Sequence, residues 1–180
     1  MQFNVAQLLR APTGASRHYE VDEPASELQT LLDGDGITLR GPIHGAVTLM
    51  HTTEGILVTG ILDIIVEITC DRCLELFEVP VEIELEETFR PSIDIKSGAA
   101  LPRVAGEELA TRIDEHHILD LLEVVRQDTL LAIPMHPVCQ PNCAGLCPQC
   151  GQNLNEGQCD CEIDAIDPRW SKLQSLLSEM

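Results

Sequence analysis

Aromatic residues are scarce in this chain. Phe, Tyr and Trp make up 3% of its 180 residues, and there is a single Trp. Any core must therefore be aliphatic, and the 44% hydrophobic content is enough to argue against a globally disordered chain. Positive charge is equally short: 11 Lys and Arg stand against 30 Asp and Glu, a formal net charge of -19. A nonspecific polyanion binder needs a basic footprint, so this balance speaks against one. Any RNA contact would be local or made through a protein partner.

No stretch reads as an export signal or a membrane span. The start, MQFNVAQLLR, has no basic region followed by an apolar run. The most apolar stretch, Ile56 to Ile68, is interrupted by Asp63 and Glu67 and is too short to cross a bilayer. The expected compartment is the cytoplasm, where thiols stay reduced. Enzyme signatures are missing too. There is no P-loop, no G-x-S-x-G and no H-E-x-x-H, and Gly34-Asp-Gly36 lacks the third glycine of a dinucleotide fingerprint. A non-enzymatic protein is expected, of a length that fits one ordinary domain with a small appendage.

What is present begins with strands. Ile37 to Arg40 ends at Gly41-Pro42, Ala46 to His51 follows, and Thr52 to Gly55 reads as a turn. Ile56 to Thr69 is a long β-branched run in which Gly60 predicts a bulge or a break. Leu74 to Phe89 returns after the tight turn Cys70-Asp-Arg-Cys73. In that return Val81, Ile83 and Leu85 alternate with Glu82, Glu84 and Glu86, the period of a strand with one apolar and one acidic face. Nine acidic residues and two arginines lie between Leu62 and Arg90. They read as a solvated sheet face that discourages edge-to-edge aggregation rather than as a catalytic carboxylate cluster. Residues 91–106 read as a loop.

Asp120 and Glu123 resemble a capping box for a helix that Pro134 stops. Leu121, Leu122, Val125 and Ala132, widened by Leu130 and Leu131, give it an apolar, core-packing face. The organisation expected is a β-rich domain over 1–134 closing with a helix at about 118–133, a Cys-rich segment over 135–165, and a C-terminal amphipathic helix over 166–180 packing back on the domain. Asp167 would cap that last helix, Pro168 would open it, and Trp170 would anchor it. The fold class expected is α+β: an antiparallel β-sheet or partly open β-barrel with one long packing helix and a Cys-rich zinc-binding segment.

The chemistry lies in eight cysteines, at Cys70, Cys73, Cys139, Cys143, Cys147, Cys150, Cys159 and Cys161. In a reducing compartment, closely spaced pairs bind metal more often than they form disulfides. Residues 135–161 have few apolar side chains with which to offset chain entropy, so something must tie them down, and metal is the evident candidate. Cys147-Pro-Gln-Cys150-Gly151 is the sharpest motif, since a C-x-x-C turn followed by Gly supplies half of a tetrahedral site. The preferred partition is Cys70, Cys73, Cys139 and Cys143 in one site and Cys147, Cys150, Cys159 and Cys161 in another. A rival partition groups Cys139, Cys143, Cys147 and Cys150, and spacing alone does not choose between them. All-sulfur ligation suits zinc, the spacings match no ferredoxin pattern, and a site filled by four cysteines is structural.

Two alternatives remain open. Cys70-Asp-Arg-Cys73 could be a redox dithiol whose arginine depresses a thiol pKa, although redox C-x-x-C pairs sit at helix N-termini rather than in hairpin turns. The segment could also be a zinc-ribbon nucleic-acid binder. His136 is a reserve ligand, and the pair His116-His117 beside Asp114, Glu115 and Asp120 is a weaker metal candidate. His18, His44 and His51 stand apart from acidic partners in sequence.

Taken together, the C-x-R-C turn between two strands, the Leu-rich helix ending in Pro134, Cys139-Gln-Pro-Asn-Cys143-Ala-Gly-Leu-Cys147-Pro-Gln-Cys150-Gly151, the pair Cys159-Asp-Cys161 and Asp167-Pro-Arg169 resemble the YceD family of large ribosomal RNA subunit accumulation proteins. The resemblance covers roughly residues 35–178, while residues 1–34 carry no matching motif. It implies a role in 23S rRNA accumulation and large-subunit biogenesis in bacteria and plastids. Family members are often encoded beside the ribosomal protein L32, which makes that basic protein, or a subunit precursor, a candidate partner. Some relatives lack the G-L-C-P-x-C-G segment and keep the first C-x-x-C, which favours the two-site partition. With the acidic charge, the resemblance points to a protein partner more than to direct RNA contact.

Overall fold

A computed structural model describes residues 1–103 and 108–161. The elements run β1 (Gln2–Asn4), α1 (Ala6–Arg10), β2 (Ser16–Glu23), α2 (Ser26–Leu32), β3 (Thr38–Leu39), β4 (Ile43–His51), β5 (Ile56–Thr69), β6 (Leu76–Pro91), β7 (Arg112–Ile113), β8 (Ile118–Asp120) and α3 (Leu122–Ala132). The architecture is mixed α+β and mostly strand. The expected C-terminal helix, with Asp167, Pro168 and Trp170, lies outside the described residues.

The main sheet has the order β2-β4-β5-β6-β7, with β3 lying beyond β4 on the same side of β5. The sheet is open, since β2 and β7 end the path and no pairing joins them among the described residues. Its strands pair antiparallel except for β7, which joins β6 in parallel at Arg90↔Arg112 and Pro91↔Ile113. Residues 1–34, which carried no matching motif, supply an edge strand and two short helices. β2 pairs with β4 along its whole length, and β1 pairs with β8 in a small separate sheet.

The hairpin of β5 and β6 dominates. Its register runs without a break from Ile56↔Phe89 to Thr69↔Leu76. At about 3.3 Å per residue this is an arm of roughly 45 Å. Alternation sorts its two faces. Val58, Leu62, Ile64, Val66, Val81, Ile83 and Leu85 are buried, whereas Asp63, Glu82, Glu84 and Glu86 are exposed. The bulge expected at Gly60 is absent, because Gly60 pairs in register with Leu85 and Val47. The glycine answers a close approach instead. A Cβ built there would lie 2.3 Å from the carbonyl oxygen of Ala46, and one on Gly45 of β4 would lie 2.2 Å from that of Ile61. The two strands cross more tightly here than side chains allow.

The core is aliphatic, as the composition requires. Leu28 and Leu32 of α2, Val124 and Val125 of α3, and the inner faces of β4, β5 and β6 pack around Phe89, the one aromatic that is fully buried among the described residues. The helix expected over about 118–133 is shorter. Residues 118–120 are strand β8, since their backbone pairs with β1. The capping box does not form. Asp120 Oδ1 accepts the Leu122 amide at 3.0 Å, but Glu123 turns forward to the guanidinium of Arg126 at 2.8 Å. Leu131 is 81% exposed, and the buried face is Leu121, Val124, Val125 and Thr129, whose hydroxyl donates to the Val125 carbonyl. In the described part of the loop, Ser97 and Lys96 amides donate to Asp94 Oδ1, and Ile93 bridges Ala100.

The close crossing at Gly60 yields a stability prediction. Gly60→Ala is expected to cost about 1–3 kcal/mol through overpacking against β4, read as a lowered urea midpoint with an unchanged slope. An unchanged midpoint would show that β4 and β5 are free to separate.

Candidate metal centres

The unbroken register of β5 and β6 leaves six residues, Cys70 to Glu75, to turn the chain at the tip of the arm. The Cys70 amide donates to the Glu75 carbonyl at 2.9 Å, and the Leu74 amide donates to the Cys70 carbonyl at 3.0 Å. Leu74 takes a positive φ of 60° to do so. The turn at Cys147 repeats this wiring. The Cys147 amide donates to Gln152 O at 2.8 Å, and the Gly151 amide donates to Cys147 O at 2.9 Å with φ 75°. Gly151 thus takes a left-handed conformation that glycine adopts without steric cost. At the first turn Leu74 holds the same conformation despite its Cβ, at a steric cost of roughly 1–2 kcal/mol.

The loop from Pro137 to Cys143 is laid over the arm's tip. The Asp71 amide donates to Pro137 O at 2.9 Å, and the Cys139 amide donates to Cys70 Sγ at 3.4 Å. Arg72 does not face the thiols with its guanidinium. Its Nη1 donates to the carbonyl oxygens of Cys143 at 3.1 Å and Pro141 at 3.4 Å, clamping the incoming loop. Gly145, at φ 73°, passes the Arg72 backbone so closely that a Cβ would stand 3.1 Å from its carbonyl oxygen.

These contacts bring the Sγ atoms of Cys70, Cys73, Cys139 and Cys143 within 4.8 Å of one another. Those of Cys147, Cys150, Cys159 and Cys161 form a second set on the same criterion. The rival grouping across Cys139 and Cys150 is not the one assembled. All eight are free thiols. In the first set Cys70 and Cys143 stand 3.9 Å apart, and Cys73 and Cys139 stand 3.7 Å apart. Four thiolates about 2.3 Å from a central ion define tetrahedral edges of about 3.8 Å. These two separations match such edges, and each group of four could hold one ion.

Electrostatics divide each set. Burial alone would raise Cys70, but amides of Cys73, Cys139 and Arg72 aimed at its sulfur bring it down to about 6. Cys139, half-buried, is pushed up to about 12 by desolvation and by the neighbouring thiols. In the second set the amides of Cys150 and Gln149 lower Cys147 to about 6, while the neighbouring Cys150 and burial raise Cys161 to about 12. Each set therefore joins a thiol that ionises readily, Cys70 or Cys147, to one that resists ionisation, Cys139 or Cys161.

Asn155, which the sequence did not single out, links the two sets. It lies in the chain between Cys150 and Cys159, yet its Nδ2 donates to Cys143 Sγ at 3.3 Å and lowers that thiol's pKa. Its Oδ1 accepts the Ala144 amide at 2.8 Å and Gln140 Nε2 at 3.2 Å. Asn153 Oδ1 accepts from Asn155 in turn. An Asn four residues before the last C-x-C was the only signal available. The histidines stay outside both sets. His136 Nδ1 lies 3.1 Å from Asp71 Oδ2 and is exposed, and the exposed His116 ring lies 3.8 Å from its neighbour Glu115. His44 finds an acidic partner that its sequence neighbours did not show, Asp22 at 3.2 Å.

The chain belongs to the family described as large ribosomal RNA subunit accumulation protein YceD, whose model matches residues 58–177, an interval that holds all eight cysteines. An uncharacterized protein of Mycobacterium tuberculosis is 34% identical over 69% of this chain and 57% of its own length. A maize protein named large ribosomal RNA subunit accumulation protein YCED homolog 1, chloroplastic, is 30% identical over 73% of this chain and 52% of its own. Its Arabidopsis thaliana namesake is 26% identical over 77% and 50%. The chain thus spans about half to three fifths of the length of these curated relatives. No solved structure matches it. No helix among the described residues is long and apolar enough to cross a membrane.

Cobalt titration of the purified, metal-stripped protein is expected to saturate at two equivalents with thiolate charge-transfer bands. Cys159→Ser should retain only the equivalent held by the first set. Asn155→Ala should keep both equivalents but shift the first-set band, because Cys143 loses its donor. Saturation at a single equivalent in the wild type would rule out two independent tetrahedra.

Proposed function

We propose that this protein promotes accumulation of 23S rRNA, and hence large-subunit assembly, by binding rather than by catalysis. It would act in the cytoplasm on a basic ribosomal protein or a subunit precursor, with L32 as a candidate. The observation that carries the reading is the family match over 58–177, in a family whose plant members bear the name of that role. The charge of -19 supports a protein partner over bare RNA. Opposite charge speeds encounter and discriminates against wrong partners.

Zinc is the metal the donor sets suit best. Four soft thiolates in a tetrahedron favour zinc, and they leave no open position for a catalytic water. Cys70, Cys73, Cys139 and Cys143 would hold one ion and pin the Cys-rich segment to the arm. Cys147, Cys150, Cys159 and Cys161 would hold the other and fold that segment on itself. When bound, zinc would supply cross-linking in place of a hydrophobic core; binding is expected to release protons from the thiols, and chelation to return protons to them and disorder residues 135–161 while leaving the sheet intact.

Depletion of the protein is expected to lower the ratio of 23S to 16S rRNA, with rescue by the wild type and none by Cys70→Ser/Cys73→Ser. Affinity capture at physiological salt should retain a basic ribosomal protein. An unchanged rRNA ratio, or capture of rRNA fragments with no ribosomal protein, would overturn the reading.

A further inference from the structure

The outward face of the arm is ordered in rows. Because β5 and β6 pair without a break, residues directly opposite share a face, and successive rows on one face are about 7 Å apart. The rows read Glu67 with Glu78, Ile65 with Pro80, Asp63 with Glu82, and Ile61 with Glu84. Acidic pairs thus alternate with apolar positions. Ile61 and Ile65 are 47% and 43% exposed, unusual for isoleucines in mid-strand. A groove of about 520 Å³ runs over this face, lined by Arg40, Pro42, His44, Ile65, Pro80 and Glu82, among others.

Two of the rows place like charges directly opposite each other, which destabilises a sheet. The first is relieved within the chain, since Arg40 donates to Glu67 at 2.7 Å. The second is not. Asp63 and Glu82 have no ion pair among the described residues, and His44, next in the same row, is turned to Asp22. The fold therefore keeps an uncompensated carboxylate pair beside an exposed apolar row.

We infer that this groove binds an extended basic segment of a partner protein, with cationic and apolar side chains alternating at every second residue. In an extended chain such side chains recur on one face at the same spacing of about 7 Å as the rows. A cation would sit between Asp63 and Glu82, and apolar side chains would cover Ile65 with Pro80 and Ile61. A second copy of this acidic chain, or an RNA strand, would add repulsion where the groove needs neutralisation. The inference rests on the reading that the protein acts by binding a basic component of the subunit precursor, and it assigns that contact to a surface.

The test uses the full-length, metal-loaded protein and a fluorescent peptide, Lys-Ser-Leu-Ser-Lys-Ser-Leu-Ser-Lys, followed by anisotropy. Binding is expected to weaken with salt, and to weaken about tenfold when Ser replaces both Leu. Ile65→Asp is expected to cost a similar factor. Asp63→Lys/Glu82→Lys should lose the peptide and gain its counterpart with Glu in place of Lys, a result that misfolding could not produce. Equal binding of the Leu and Ser peptides, indifference to Ile65→Asp, or displacement of the peptide by a short oligouridylate would each overturn the groove. The same variants are then used to complement depleted cells. A normal 23S to 16S ratio with Ile65→Asp, where depletion itself lowers the ratio, would overturn the groove's part in that role. An unaltered ratio on depletion would instead overturn the proposed function and leave the peptide measurement standing.

Discussion

The pairing of β5 with β6 over their full length is the constraint on which the rest of the molecule depends. Side chains alternate with a period of two, so a slip of one residue would send Val81, Ile83 and Leu85 to solvent and bury Glu82, Glu84 and Glu86. Register is therefore fixed by the cost of burying carboxylates as much as by the gain from burying aliphatics. The same register brings Cys70 and Cys73 together at the tip and sets the acidic and apolar rows on the outer face. Gly45 and Gly60 let β4 lie close enough to hold the arm against the remainder of the sheet.

Two means of ordering a chain meet at that tip. Toward the base, a continuous aliphatic cluster runs from Met1 to Val125. Beyond it, a small separate cluster holds Cys70, Cys73 and Cys143, with Phe77 packed against both. The segment after Pro134 has almost no apolar surface of its own. Its described contacts are largely polar, among them amide-to-sulfur bonds, the Asp71 bond to Pro137, the Arg72 clamp and the Asn155 bridge. Polar contacts of this kind are individually weak against solvent competition. That is the physical reason a cross-link through four thiolates would matter here, and the two turns of identical wiring present sulfur where an ion could be held.

Much of this was legible in the sequence, and the misses have definite causes. The bounds of β5, the facing of Val81, Ile83 and Leu85, and the turn at Cys70 follow from period and punctuation. Gly60 misled because a glycine in a strand signals either a bulge or a close backbone approach, and only the neighbouring strand decides which. Leu131 misled because a helix's apolar stripe is set by what it packs on, and α3 turns Val124 and Thr129 inward instead. Asp120 and Glu123 fit a capping box by spacing, but Asp120 ends a strand paired with β1 and Glu123 has Arg126 one turn ahead.

The sequence by itself determined an aliphatic core, an acidic surface, a two-faced strand and eight thiols in closely spaced pairs. These are properties of composition and local spacing, and local physics suffices to read them. Tertiary structure alone decided which thiols meet, because Cys70 and Cys143 are 73 residues apart and only the laying of the Pro137–Cys143 loop over the arm closes that distance. It also decided that Asn155 reaches from one set to the other, and that Asp63 faces Glu82 with no ion pair to either among the described residues. Such long-range juxtapositions depend on register and chain path, which no local pattern encodes.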